Sequence, residues 1–80
     1  MKIEVLGPGC PKCNSLLENV RQALKELNLA AEVVKVTEIR AMIEKGILRT
    51  PGLIIDGHIV SQGKTPTADQ IKDYLQPFLK

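Results

Sequence analysis

The chain holds two thiols, Cys10 and Cys13, and they form one C-x-x-C, Cys10-Pro11-Lys12-Cys13. Thiols this close in sequence cannot staple distant segments together. A secreted disulfide scaffold would spread more cysteines along the chain. The pair is therefore read as chemistry, either two-electron thiol–disulfide exchange or capture of a soft metal ion.

The place of the motif separates the two sulfurs. Lys2 to Leu6 reads as a short strand that Gly7-Pro8-Gly9 stops. Cys13, Leu16, Leu17, Val20, Leu24 and Leu27 then recur at helical spacing, with Asn28 as the end of the helix. Cys10 falls at the N-cap and Pro11 at the first helical position, where proline's missing N–H loses no partner. A sulfur at the N-cap faces free backbone N–H groups and the positive end of the helix dipole, and both favour thiolate over thiol. Thiols so placed fall from a pKa of ~8.5 into the range ~3.5–7.5. Lys12 adds a positive charge. Cys10 is thus the expected nucleophile. Cys13 opens the apolar stripe, so it is expected to point inward and to resolve a mixed disulfide from one turn away.

The competing chemistry is metal binding. Zinc takes four ligands as a rule, and beyond the two cysteines the chain offers one histidine, His58. A strand of four or five residues separates His58 from the cysteine end, roughly 13–16 Å at ~3.3 Å per residue, so no zinc site is expected. Copper(I) needs only two thiolates. A copper(I) carrier using the same C-x-x-C is the alternative function. Such carriers run β-α-β-β-α-β and finish on a strand.

The remaining elements are expected as follows. Ala31 to Val36 is a second strand and a sheet edge, with Lys35 discouraging further pairing. Thr37 caps a short helix whose apolar side is Ile39, Met42 and Ile43, with Gly46 at its exit. Thr50-Pro51-Gly52 leads into a hairpin, Leu53 to Ile55 and His58 to Val60, turned by Asp56-Gly57. Thr67 and Gln70 form a capping box for a last helix with Ala68, Ile71, Leu75 and Phe78 inward. Pro77 ends or distorts that helix. The order β-α-β-α-β-β-α implies an α/β domain with a four-stranded mixed sheet flanked by helices.

Composition bounds the function. Eighty residues are one domain, 1–80, against a usual 100–200 or so per domain. Aromatics are two, Tyr74 and Phe78, and the net charge is +2 without any Lys/Arg block, so no nucleic-acid partner is expected. Met1-Lys2 precedes no apolar leader, and no stretch approaches the ~18 apolar residues of a membrane span. A soluble, cytoplasmic monomer is expected.

The strand, Gly7-Pro8-Gly9-Cys10-Pro11-Lys12-Cys13, the helix, and Thr50-Pro51 before a β-β-α end together resemble the thioredoxin superfamily. The likeness is closest to the small redox-active disulfide proteins, minimal thioredoxin/glutaredoxin-like domains, and it covers essentially the whole chain. The resemblance implies a thiol–disulfide oxidoreductase that reduces protein disulfides. It needs no cofactor beyond a redox-active Cys10–Cys13 disulfide. Cys10 would be the attacking and Cys13 the resolving thiol, and Pro51 would be the family's cis-proline beside the disulfide. The Thr50 backbone, with Gly9 and Gly63, would meet the substrate chain. A flavoprotein of the thioredoxin-reductase type is the implied electron donor. Gln62-Gly63-Lys64-Thr65 lacks the full Gly-Gly-x-Asp of glutathione-binding relatives. Glu4 stands six residues before Cys10, where thioredoxins bury a proton-handling acid; a plain exposed strand carboxylate is the favoured reading of Glu4. Lys12, Arg49 and Lys64 fall in the loops at the cysteine end, where a basic rim would attract acidic partners.

Overall fold

Alternating apolar side chains and β-branched residues extend the first segment as β1 (Lys2–Leu6), the second as β2 (Glu32–Val36), and the hairpin as β3 (Gly52–Ile55) and β4 (His58–Gln62). The computed structural model describes residues 1–79; Lys80, the last residue of the expected single domain, lies outside the described residues. The four strands make one sheet in the order β2-β1-β3-β4. β1 runs parallel to β2 with Ile3 beside Val33, and antiparallel to β3 with Val5 beside Leu53. β2 is an edge, as its short and charged sequence implies.

The side-chain period of two sends β1 and β3 residues to both faces. Ile3, Val5, Leu53 and Ile55 pack under α1 (Pro11–Glu26) and α3 (Ala68–Leu75), with Leu16, Val20, Ile71 and Leu75 fully buried between them. On the other face Leu6 and Ile54 meet Met42 and Ile47, from α2 (Ile39–Glu44) and the residues after it. The larger core therefore holds the helix that carries the cysteines. The last turn after α3 is a 3₁₀ helix at Gln76–Phe78, where Pro77 removes a donor. The last described element is thus helical, unlike the strand that closes the copper-carrier order.

Local signals are met at most ends. Asp56 and Gly57 both adopt positive φ, 48° and 83°, as the tight hairpin turn requires. The Thr67–Gln70 capping box is complete, its two bonds 3.2 and 2.9 Å long. Three expectations are corrected. Thr37 does not cap α2; the helix starts one residue later, Glu38 is the N-cap, and no side chain caps it. Of the apolar side expected for α2, only Met42 is buried, while Ile39 and Ile43 are 67% and 60% exposed. The three residues share one helix face, but only Met42 lies over the sheet, packed with Leu6, Ile47 and Ile54. β4 also runs two residues beyond Val60, to Gln62, after a register shift opposite Leu53/Ile54.

Candidate functional site

β1 delivers the chain to the site and α1 receives it. The turn Gly7-Pro8-Gly9 lies between them, with the Gly7 N–H bonded to the Val36 carbonyl at 2.8 Å and Gly9 at φ +91°. Cys10 is the N-cap of α1 in extended conformation, and Pro11 is the first helical residue. The Cys10 Sγ accepts from the Cys13 N–H at 3.3 Å, so the sulfur sits on the open end of the helix. Cys10 and Cys13 are joined as a disulfide, with Cα atoms 5.1 Å apart. Cys10 is half-buried and Cys13 is 4% exposed. Pro11 and Lys12 are exposed beside them.

The other half of the site comes from the opposite end of the chain. The Thr50–Pro51 peptide is cis. Pro51 is buried and Thr50 exposed. A Cβ on Gly7 would collide with the Cys13 Sγ and lie 3.9 Å from the Pro51 Cα, so the disulfide, Gly7 and Pro51 meet at one point. Gly63, at φ +74°, donates its N–H to the Pro51 carbonyl at 2.9 Å and lies against the Arg49 side chain. The loops 7–13, 48–51 and 63–66 thereby converge. Lys12, Arg49 and Lys64 are exposed on them, and none of these loops contains a carboxylate.

Glu4 corrects the favoured reading of an exposed carboxylate. It is 6% exposed, on the sheet face that α2 covers, and its Oε1 accepts from the Lys45 Nζ at 2.9 Å. The cost of burying a charge is met by that ion pair. The partner was not visible in sequence, because Lys45 lies just past α2 with no motif to mark it. No motif marks the role of the Gln62 side chain either. Its side-chain oxygen accepts from the Leu48 and Arg49 N–H groups at 2.9 and 3.3 Å, fastening the segment before Thr50 to β4.

No cluster of three potential metal ligands occurs among the described residues. His58 starts β4 beside Ile55, whereas Gly52 and Gln62 pair at the strand end nearest the cysteines.

Comparison with known proteins agrees with this geometry. The sequence model of the thioredoxin domain family matches residues 1–76. A thioredoxin of Methanocaldococcus jannaschii is 44% identical over 78 residues, covering 98% of this chain and 90% of that protein. A thioredoxin of Methanothermobacter thermautotrophicus is 39% identical over 75 residues, covering 94% and 97%. Thioredoxin 1 of Thermosipho africanus superposes with a TM-score of 0.64 at 20% identity, over 99% of this chain and 94% of that one, a likeness of fold.

Proposed function

The chain belongs to the thioredoxin domain family and is a thiol–disulfide oxidoreductase, and from that premise we propose that Cys10 is its attacking thiol and Cys13 its resolving thiol. The observation that carries the assignment is the asymmetry of the pair: Cys10 reaches the surface on the helix N-cap, and Cys13 is enclosed beneath it. In the reduced protein the Cys10 thiolate attacks one sulfur of a substrate disulfide. A mixed disulfide forms and the other substrate sulfur leaves as thiolate. Cys13 then loses its proton and attacks the Cys10 sulfur, which releases the second substrate thiolate and closes Cys10–Cys13. Two electrons have passed to the substrate.

The supporting residues act on that sequence. Pro11 starts the helix and Lys12 places a cation beside Cys10. Pro51 backs the disulfide. The Thr50 backbone, flanked by Gly9 and Gly63, accepts an extended substrate segment as an added strand. Glu4 takes the proton that Cys13 gives up, a role supported by its burial and its position six residues before Cys10.

The family works through disulfide substrates, a reductase and a redox-active disulfide rather than a bound cofactor. For this chain we take the donor to be a thioredoxin-reductase-type flavoprotein, because Gln62-Gly63-Lys64-Thr65 lacks the acid of a glutathione loop. We take residues 1–80 as one domain, acting as a cytoplasmic monomer. No helix among the described residues is long and apolar enough to cross a membrane.

Iodoacetamide at pH 7 tests the roles directly. The reduced protein should lose Cys10 at least ten times faster than Cys13, and Cys13→Ser should accumulate substrate linked to Cys10. Equal alkylation rates, or trapping through Cys13 in a Cys10→Ser protein, would reverse the assignment. Glu4→Gln should slow the resolving step alone, so that mixed disulfide builds up while Cys10 alkylation keeps its rate.

A further inference from the structure

We propose that Gln62 is a positioning residue for protein substrates: it latches the segment before Thr50 so that Leu48 stands out as an apolar anchor beside the disulfide. The inference rests on the dithiol reading of the site and adds to it a residue that never touches the reacting sulfurs.

Leu48 is 82% exposed, more than any other large apolar residue described. It is not loose. Its neighbour Ile47 is 2% exposed, donates its N–H to the Met42 carbonyl at 2.9 Å, and fills the space that a side chain on Gly52 would need. On its other side Arg49 lies against Gly63. Between these two fixed points the Gln62 side-chain oxygen takes both the Leu48 and the Arg49 N–H. Two donors on one acceptor hold the backbone of this turn. The Leu48 side chain is thereby kept out of the core that receives Ile47. Without the latch those N–H groups would turn to water, and Leu48 would be free to fold down over Ile39 and Ile43.

Leu48 forms one wall of an open groove of about 370 Å³, lined also by Pro8, Ile39, Met42, Ile43 and Thr50. Pro8 and Thr50 belong to the two loops that meet at the disulfide, so the groove opens at the cysteine end of the sheet, although neither cysteine lines it. Its apolar lining seats an apolar side chain. The loops at that end carry Lys12, Arg49 and Lys64 without a carboxylate. The occupant is therefore an extended segment flanking the disulfide of a protein substrate, with an apolar residue in the groove and acidic residues towards the cysteine end. Residues on rigid support cost less ordering on binding, so the latch acts on affinity and not on the exchange step.

Steady-state reduction of insulin, with dithiothreitol supplying electrons, reads this split. Gln62→Leu should raise KM for insulin three- to tenfold with kcat within twofold, and amide exchange at Leu48 and Arg49 should quicken at least tenfold. Gln62→Glu keeps the acceptor oxygen and should restore KM at roughly 0.3 M salt, where the added charge is screened. Leu48→Ala, at an exposed position that does not threaten folding, should raise KM alike. The double variant should be no worse than Leu48→Ala alone, because the latch works through Leu48. An unchanged KM in Gln62→Leu or Leu48→Ala, a loss confined to kcat, or additive losses in the double variant would overturn the latch. Failure of the dithiol reading looks different: in the wild-type protein Cys10 and Cys13 would then alkylate at equal rates, and insulin would not be turned over at all.

Discussion

At position 7 the side chain has to be a single hydrogen. The turn from β1 to α1 passes so close to the Cys13 sulfur that a methyl group would occupy its place. Gly7→Ala is expected to cost about 1–3 kcal/mol, the usual range for overpacking, and to displace the inner sulfur; a urea titration and the Cys13 alkylation rate check both. Sequence suggests Gly7 only as a strand breaker. The collision that demands glycine appears when α1 folds back over β1. Lys45 makes the converse case. It keeps the Glu4 carboxylate in an ion pair under α2, and Lys45→Met should destabilise the fold by roughly 1–3 kcal/mol. The low end is expected, since the Lys45 side chain is itself 40% exposed and water can partly replace it. Lys12→Glu, beside Cys10, should slow Cys10 alkylation two- to threefold at low salt and less at high salt, because the charge is exposed and screened.

Among the elements, α1 and α3 have strong termini and α2 does not. Cys10 caps α1 with its own sulfur, so the residue proposed as the attacking thiol also starts the helix. The capping box of α3 is fully formed, and Thr67→Ala should lower stability by about 1 kcal/mol, a fall of about 4–8 °C in Tm for a domain of this size. α2 has an uncapped start, six residues and one buried side chain, Met42. Its periodicity promised three inward residues, but burial depends on how much sheet lies beneath, and here Leu6, Ile54 and Ile47 receive Met42 alone. Met42→Ala should therefore loosen α2 selectively, costing about 2–5 kcal/mol at most. Amide exchange across Ile39–Glu44 should rise well before that of α1.

For the molecule as a whole, the two helices on the larger core are tied at their surface by Lys72. Its Nζ bonds Glu26 at 2.6 Å and Asp69 at 3.0 Å, and Gln22 donates to the same Glu26 carboxylate at 2.8 Å. The bonds from Lys72 and then Gln22 hold the Glu26 carboxyl below its ordinary value. The bonds to Glu26 and then Asp69 hold Lys72 above its ordinary value. A carboxyl that binds its proton less readily folded than unfolded stabilises the fold above the ordinary carboxylate range. That contribution is lost as pH falls through the lower, folded value. Lys72 contributes below its ordinary value and is lost as pH rises through the higher, folded one. The network lies at the surface, so its effect should be small and salt-sensitive. Urea midpoints measured below pH 5 should fall less steeply for Glu26→Gln than for the wild type, and identical slopes would show that the tie contributes nothing.

Local physics made much of this protein readable before folding. A thiol at the start of an amphipathic helix, its partner on the apolar stripe, the Asp56-Gly57 turn and the Thr67–Gln70 box are all decided within a few residues. Hydrogen bonding and periodicity act at that range. Strand order, the pairing of Glu4 with Lys45 and the fastening of Leu48 by Gln62 depend on residues from 14 to some forty positions apart. No local pattern marks such pairs, because a long flexible side chain such as lysine or glutamine can serve any partner that the packed sheet and helices bring within reach.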